Sequence, residues 1–262
     1  MDLNITRDNF DEFWLASDTC EQNYTKFRFI PLKEKQGCRN LVKNALSKAI
    51  LDHHLNPLTI SRALERLGYA QAANYFSARL PKSKTTRKGN FGEVVASEHL
   101  RQRYHYDMPV FKLRYSENFD MPMRGEDIVA FEIDRNGKII TICIGEVKTN
   151  EDYQTAHVRK AHLRLVKTYH PSPVTLSLIS EILRDRDNND LAEQIDMIYE
   201  NLVLENNFPR HNWIFIITGN QKIDPFRPLE EINGVVENLK AVHLYLPELS
   251  IFIDEIFNIS VF

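Results

Sequence analysis

The chain has few of the residues that cross-link a secreted protein or anchor a membrane protein. It contains 3 cysteines in 262 residues, and Cys20, Cys38 and Cys143 are widely spaced and form no Cys-x-x-Cys pair. An odd number in this pattern argues against a disulfide framework and against a cysteine zinc site. No apolar run approaches the ~20 residues that span a bilayer, and no basic segment followed by an apolar run opens the chain. These absences predict a cytoplasmic protein with no membrane partner.

The small net charge of −3 hides an uneven distribution along the chain. Residues 79–170 hold 17 Lys and Arg against 12 Asp and Glu, a net of +5, whereas residues 171–262 hold 6 against 15, a net of −9. Binding a phosphate backbone requires local positive charge, whatever the total. The central excess predicts DNA contacts from Lys82, Lys84, Arg87, Lys88, Arg159 and Lys160. A solvated linker and a solvated helix face are the alternative explanation.

Asn136-Gly137 divides the stretch from Asp127 to Glu146 into two apolar arms. Asn-Gly between alternating apolar residues predicts a hairpin with a two-residue turn, because both turn positions need a positive φ. Such a turn pairs residues whose numbers sum to 273, so Asp127 should lie opposite Glu146, with Cβ atoms roughly 5 Å apart. Two like charges there destabilise a sheet unless a cation lies between them. Lys148 points to the same face.

The same strand face carries a set of apolar side chains beside these three charges. They are Val129, Phe131, Ile133, Ile140, Ile142 and Ile144. Paired carboxylates and a lysine at the rim of an apolar surface predict a divalent-metal site with a residue that activates water. The acid-x-lysine spacing occurs once, at Glu146-Val147-Lys148. Spacing alone is weak evidence, and a solvated charge cluster at a strand end is the alternative.

A third acid precedes the hairpin in the motif Gly-Asn-Phe-Gly-Glu93. Apolar residues at helical spacing predict a helix over 93–104. Acids are favoured in a first helical turn by the helix dipole, so Glu93 has a purely structural explanation as well as a functional one. We expect a strand over 109–115, then the hairpin, then a helix from residue 151.

The arrangement Asp…Glu-Val-Lys resembles that of the PD-(D/E)xK nucleases. More closely, four sequence motifs resemble those of the HamA family: Gly-Asn-Phe-Gly-Glu93, Phe-Lys-Leu-Arg114, Arg-Gly-Glu-Asp-Ile-Val129 and Gly-Glu-Val-Lys148. HamA proteins are the nuclease effectors of Hachiman anti-phage defence, encoded beside a superfamily 2 helicase, HamB. The match covers about residues 88–150. It implies an α/β, restriction-endonuclease-like core, with a mixed central sheet flanked by helices.

Carried over residue by residue, the resemblance implies a catalytic set of Glu93, Asp127, Glu146 and Lys148. The three acids would bind Mg²⁺ or Mn²⁺, and the lysine would orient the attacking water or stabilise charge on the phosphate. In that superfamily the helix before the core hairpin often supplies a glutamate. The resemblance further implies DNA as substrate and HamB as partner. Glu126 departs from a single-acid motif and should point to the opposite face of the strand.

Two other functions remain open from the sequence. One is a catalytically inactive module that retains the fold and binds nucleic acid. The other is a restriction endonuclease that acts with a methyltransferase, although no base-reading motif is visible. A metal-dependent cleavage assay separates the first alternative from the nuclease, and discrete cut products would indicate the second.

The remaining segments predict a scaffold. Residues 1–80 should form a mostly helical N-terminal extension, and residues 81–262 the nuclease-like domain. We expect strands over 26–31, 213–218, 242–246 and 251–253, helices over 39–51 and 59–79 with a break near Gly68, and a polar connector over 81–88. Residues 181–205 should form one acidic amphipathic helix. Its outer face is a solvated surface, a docking site for a basic partner or a mimic of DNA.

Overall fold

The computed structural model describes residues 4–17, 24–116, 118–121, 125–167, 173–204 and 208–258. Cys20, Arg124 at the start of one motif, and Glu205 at the end of the predicted acidic helix lie outside these ranges. Within them, no helix is long and apolar enough to cross a membrane.

The described residues include a six-stranded mixed sheet. Its strands are β1 (Leu15–Ser17), β2 (Arg28–Glu34), β3 (Ile128–Ile133), β4 (Ile139–Asn150), β5 (Arg210–Thr218) and β6 (Leu239–Tyr245). The spatial order is β1-β2-β6-β5-β4-β3. The inner pairs β2–β6, β6–β5 and β5–β4 are parallel, and the outer pairs β1–β2 and β3–β4 are antiparallel. The predicted α/β fold with a mixed central sheet is confirmed.

Helices cover both faces of this sheet. They are α1 (Phe10–Trp14), α2 (Arg39–His54), α3 (Pro57–Ala78), α4 (Lys84–Tyr104), α5 (Thr155–Lys167), α6 (Pro173–Arg184), α7 (Asn189–Leu204), α8 (Arg227–Glu230) and α9 (Leu249–Phe257). One core joins the sheet to α1, α2, α4 and α9, and a second joins it to α5, α6, α7 and α8. In β5, Phe215 packs in the first core and Ile214 in the second, which explains the continuous apolar run of a central strand.

The hairpin keeps the predicted register, although its turn differs from the prediction. Asp134 and Lys138 bracket a three-residue turn, with the Asp134 N–H donating to the Lys138 carbonyl at 2.8 Å and Gly137 at a φ of 78°. A two-residue turn was therefore wrong. The ladder then shifts between Glu132 and Ile133, so that Ile140 is bulged and 40% exposed rather than part of the apolar face. The turn contains one residue more than predicted, and the bulge leaves one residue out of the pairing, so the predicted register is restored beyond it.

Beyond the bulge, Ile128 pairs with Gly145, as the sum of 273 requires. Asp127, the residue directly before β3, therefore lies opposite Glu146. Side chains on the two strands alternate between the two cores, with Ile142 and Ile144 on the α5 side and Val147 on the α4 side. The register on which the predicted site depends is confirmed.

Three predicted elements were wrong for local reasons. Residues 109–115 contain a short 3-10 helix, Lys112–Tyr115, instead of a strand. Residues 251–253 lie within α9, because the apolar run packs as a helix against Trp14 and Phe91. The acidic segment forms two helices, α6 and α7, with Asp187 at a φ of 58° between them. In each case tertiary contacts outweigh the local pattern.

The helix that carries Glu93 begins at Lys84, well before the predicted start. Residues 84–88 are therefore helical and not a connector, and Glu93 lies in the middle of α4 rather than in its first turn. The polar run lacks apolar periodicity, so its helical state could not be read from hydrophobicity. The predicted break in α3 is confirmed, since Gly68 has a φ of 69° and a ψ of 172°.

Residues 1–80 contribute more than helices. Besides α1, α2 and α3, this segment supplies β1 and β2, and β2 pairs with β6 in the central sheet. The division of the chain at residue 80 stays a prediction, whereas the sheet itself draws strands from both sides of that boundary.

We predict that Gly92→Ala destabilises the protein by about 1–3 kcal/mol, the usual range for an overpacked core. A methyl group at Gly92 would overlap Thr149 Oγ1 and approach Val147 Cγ1 to 2.9 Å, so α4 would have to move away from β4. The matched control is Gly89→Ala on the same helix, where nothing lies within 4 Å. That substitution should stabilise the protein by about 0.5–1 kcal/mol. Urea unfolding measures both, and equal effects would contradict close packing at Gly92.

Candidate active site

The structure brings three of the predicted site residues into direct contact. Lys148 Nζ lies 3.2 Å from Glu146 Oε2 and 3.5 Å from Asp127 Oδ2, and it donates to the Val147 carbonyl at 2.9 Å. Asp127 Oδ2 also accepts the Val147 N–H at 2.8 Å. The ammonium group therefore lies between the two carboxylates and supplies the cation that such a pair needs.

Glu93 approaches the site from α4, on the far side of Asp127. Its Oε2 lies 3.5 Å from Lys112 Nζ, and the same ammonium donates to the backbone carbonyl of Glu126. Glu93, Lys112 and Asp127 line one cavity of about 40 Å³. A water needs roughly 10–15 Å³ of such space, so the cavity has room for at least one.

Two carboxylate oxygens at the site are buried without a hydrogen bond. They are Glu93 Oε2 and Glu146 Oε1. Lys112 and Arg164 lie nearby as ion-pair partners, at 3.5 Å and 3.3 Å. Buried acceptors that lack donors are rare, and they are typical of a position that a ligand completes.

Burial also raises the proton affinity of these two acids. Loss of water and the charge of Asp127 together raise the pKa of Glu146 to about 7, against the opposing charges of Lys148 and Arg164. Loss of water likewise raises the pKa of Glu93 to about 7, against the opposing charge of Lys112. Carboxyl groups with strongly raised pKa values are found more often at functional sites than elsewhere.

The donor set suits a hard divalent ion. Mg²⁺ takes oxygen ligands and is commonly held by one or two carboxylates, with water in its other positions. Asp127 and Glu146 supply two carboxylates, and Glu146 Oε1, which accepts no hydrogen bond and lies 3.3 Å from Arg164 Nε, is a candidate ligand of such an ion. Within the described ranges, no three His, Cys, Asp or Glu side chains converge on one point. The arrangement therefore fits direct binding of such an ion by these two acids.

The predicted DNA-binding residues differ in their surroundings. Lys82, just before α4, and Lys84, its first residue, are exposed, although Lys84 Nζ lies 3.6 Å from Asp254 Oδ2; Lys88 is partly buried. Arg87 is instead engaged within the fold, because its Nε donates to the Pro81 carbonyl at 2.8 Å and its guanidinium lies 3.7 Å from Asp254 of α9. Its first role is to hold α4 against α9.

On α5, the predicted pair is also divided. Arg159 lies 3.2 Å from Glu231, whereas Lys160 is exposed. Glu126 is buried, and its carboxylate accepts from Thr175 Oγ1 at 2.8 Å. It is therefore engaged with α6.

Sequence reasoning did not assign two cations at the site, Lys112 and Arg164. Arg164 Nε lies 3.3 Å from Glu146 Oε1, and its Nη2 donates to the Gly125 carbonyl at 2.9 Å. Lys112 belongs to the motif Phe-Lys-Leu-Arg114, which contributes to the family resemblance but does not indicate what Lys112 does. For Arg164 the only signal was its place among the basic residues of α5. Both positions depend on tertiary packing.

The fold and this centre define an α/β protein with an acid–lysine site at the end of a hairpin. The model of the HamA family matches residues 8–258. The Hachiman protein HamA of Bacillus cereus is 32% identical over 127 residues, which are 48% of this chain and 43% of that protein. The match thus spans less than half of that relative. The chain belongs to the HamA family.

We predict that Glu146→Gln stabilises the metal-free protein at pH 8 by on the order of 1–3 kcal/mol. The folded pKa is about 7 and the ordinary value is 4.5. Between these values the folded protein retains a proton that the unfolded chain has lost, so the wild type loses stability as pH rises. The variant has no such proton.

Urea unfolding of both proteins with a chelator, from pH 4 to pH 8, measures this effect. The difference at pH 4 is the internal control, because the carboxyl group is then mostly neutral in both states. A difference that does not change with pH would contradict a raised pKa at Glu146.

Proposed function

We propose that this chain is a metal-dependent DNA nuclease that acts in Hachiman anti-phage defence together with a HamB helicase. The observation that carries this proposal is the contact of Lys148 with both Asp127 and Glu146, whose Oε1 is buried without a hydrogen bond. Family membership supports the defence role. Defence against phage DNA inside the cell places the protein in the cytoplasm.

In this proposal Asp127 and Glu146 would hold Mg²⁺ or Mn²⁺, and Glu93 would support the ion through water. Such an ion would supply a more acidic water and neutralise charge on the phosphate. The Lys148 ammonium is held by the Val147 carbonyl at 2.9 Å, so its direction is set before the substrate arrives. From that position it orients the attacking water or stabilises the phosphate oxygens.

DNA approaches the positively charged side of the molecule. We assign backbone contacts to the exposed Lys82, Lys84 and Lys160, with Lys88 beside them. Arg87 and Arg159 contribute positive potential, while their guanidinium groups remain paired with acids of the fold. Such contacts position the DNA and carry no sequence information. They favour an enzyme that cleaves without strong sequence preference.

The first experiment tests the chemistry. Lys148→Ala and Glu146→Gln should each lower cleavage of plasmid or linear DNA by at least about a hundredfold, because each removes a group that acts on the reacting water or its ion. Both should also abolish protection against phage. Chelation of divalent ions should stop cleavage by the wild type.

The matched control is Lys138→Ala, an exposed lysine at the far end of the same hairpin, which should cleave normally. Circular dichroism checks that each variant is folded. Assays run with and without the helicase, since the helicase contributes DNA affinity and control. Undiminished cleavage by purified Lys148→Ala would contradict this assignment. Wild-type DNA binding without cleavage in any of these conditions would instead support an inactive binding module.

A second experiment tests Arg164, which contacts Glu146. Arg164→Gln should weaken DNA binding by about tenfold and reduce its salt dependence by about one ion, because a phosphate at Glu146 would lie within reach of this guanidinium. Arg159→Gln is the matched control on the same helix. Its guanidinium pairs with Glu231, so a smaller loss is expected. Equal losses would show that α5 acts only through its total charge.

A further inference from the structure

We propose that Lys112 is a positioning residue of this site, which holds the Glu93 carboxylate while no ion is bound and competes with the ion for it. This inference rests on the proposed metal-dependent nuclease. The observation behind it is a second acid–lysine contact, built from residues outside the Glu-Val-Lys motif. Lys112 Nζ lies 3.5 Å from Glu93 Oε2, an oxygen that is buried without a hydrogen bond.

Lys112 is held rigidly by its neighbours. It opens the 3-10 helix directly after Phe111, whose ring stacks on His53 at 3.8 Å between centroids. The Arg114 guanidinium lies 4.8 Å from the same ring, and Arg114 Nε donates to the Asp52 carbonyl at 2.6 Å. The backbone of this segment is thus fixed to α2. Only the end of the Lys112 side chain has to move for its ion pair to open.

The ammonium group joins two walls of the cavity. It contacts Glu93 of α4 and donates to the Glu126 carbonyl, one residue before Asp127. Through these contacts Lys112 holds Glu93 and the start of β3 on either side of the cavity that they share. Its side chain is 17% exposed, so water screens the pair only in part.

A divalent ion changes the balance of charge in this space. Before it binds, Glu93 is a buried carboxylate whose nearest described cation is Lys112. An ion bound at Asp127 would repel the ammonium and attract the carboxylate, so Lys112 would release Glu93 to the ion. Lys112 thereby raises the ion concentration at which the site fills, and it keeps Glu93 in place until then. A salt bridge with only a structural role would affect folding and leave the affinity for the ion unchanged.

The test is Mn²⁺ binding by the full-length protein, measured from the electron paramagnetic resonance of free Mn²⁺. We expect Lys112→Met to bind Mn²⁺ several-fold more tightly than the wild type, because the competing charge is absent. Lys112→Arg, which keeps the charge, should bind with an affinity near that of the wild type. In a Glu93→Gln background most of the gain from Lys112→Met should disappear, since Lys112 acts through Glu93.

Thermal melts give an independent readout. Without metal, Lys112→Met should melt below the wild type, and saturating Mn²⁺ should raise its melting temperature by more than it raises that of the wild type. If Lys112→Met does not fold, Lys112→Gln replaces it, because an amide can still donate to the Glu126 carbonyl.

The outcomes separate this inference from the proposed function. Equal Mn²⁺ affinity in the wild type and in Lys112→Met overturns the role of Lys112 and leaves the nuclease site standing. The same gain with and without Glu93 also overturns it, because Lys112 would then act only through its general field. A wild type that binds no Mn²⁺ removes the proposed metal site and this inference with it.

Discussion

One ammonium group shared by two carboxylates is the interaction on which the arrangement of this site depends. Glu146 and Lys148 are neighbours on one face of β4, and Asp127, which directly precedes β3, meets Lys148 only because β3 and β4 pair in one particular register. A shift by one residue would turn the charged side chains to the other face of the sheet. The close approach of α4 to β4 at Gly92 then brings the third acid to the same end of the hairpin. Register and helix packing are therefore parts of the site.

The same contact shows that repulsion between the acids destabilises the site without an ion. Three acids share partly buried space, and burial raises the pKa of both Glu93 and Glu146. Lysine and arginine offset this charge only in part, because two carboxylate oxygens still lack hydrogen bonds. Most buried polar groups of the fold have hydrogen-bond partners, whereas these two oxygens do not. Such exceptions are expected where function competes with stability.

Much of this structure could be predicted from the residues, and the failures have physical causes. The apolar run of β5, the break at Gly68 and the pairing of Ile128 with Gly145 were all predictable. The pairing was predicted from a turn that was one residue too short, and the bulge at Ile140 cancels the error. The start of α4, the 3-10 helix and α9 depend on distant contacts. So do the cations that reach the acids from outside the motif, since no local pattern specifies which distant side chains will meet.

The strand order has a consequence for the growing chain. The hairpin of β3 and β4 is local in sequence, but a lone two-stranded ribbon is at best marginally stable in water. Its stabilising neighbour, β5, is made only after three further helices, and β2 must wait for β6, near the end of the described chain. Long-range parallel pairing of this kind forms late. The acids and the lysine are therefore synthesised well before anything holds them in place, so fragments left by interrupted translation should lack the assembled site.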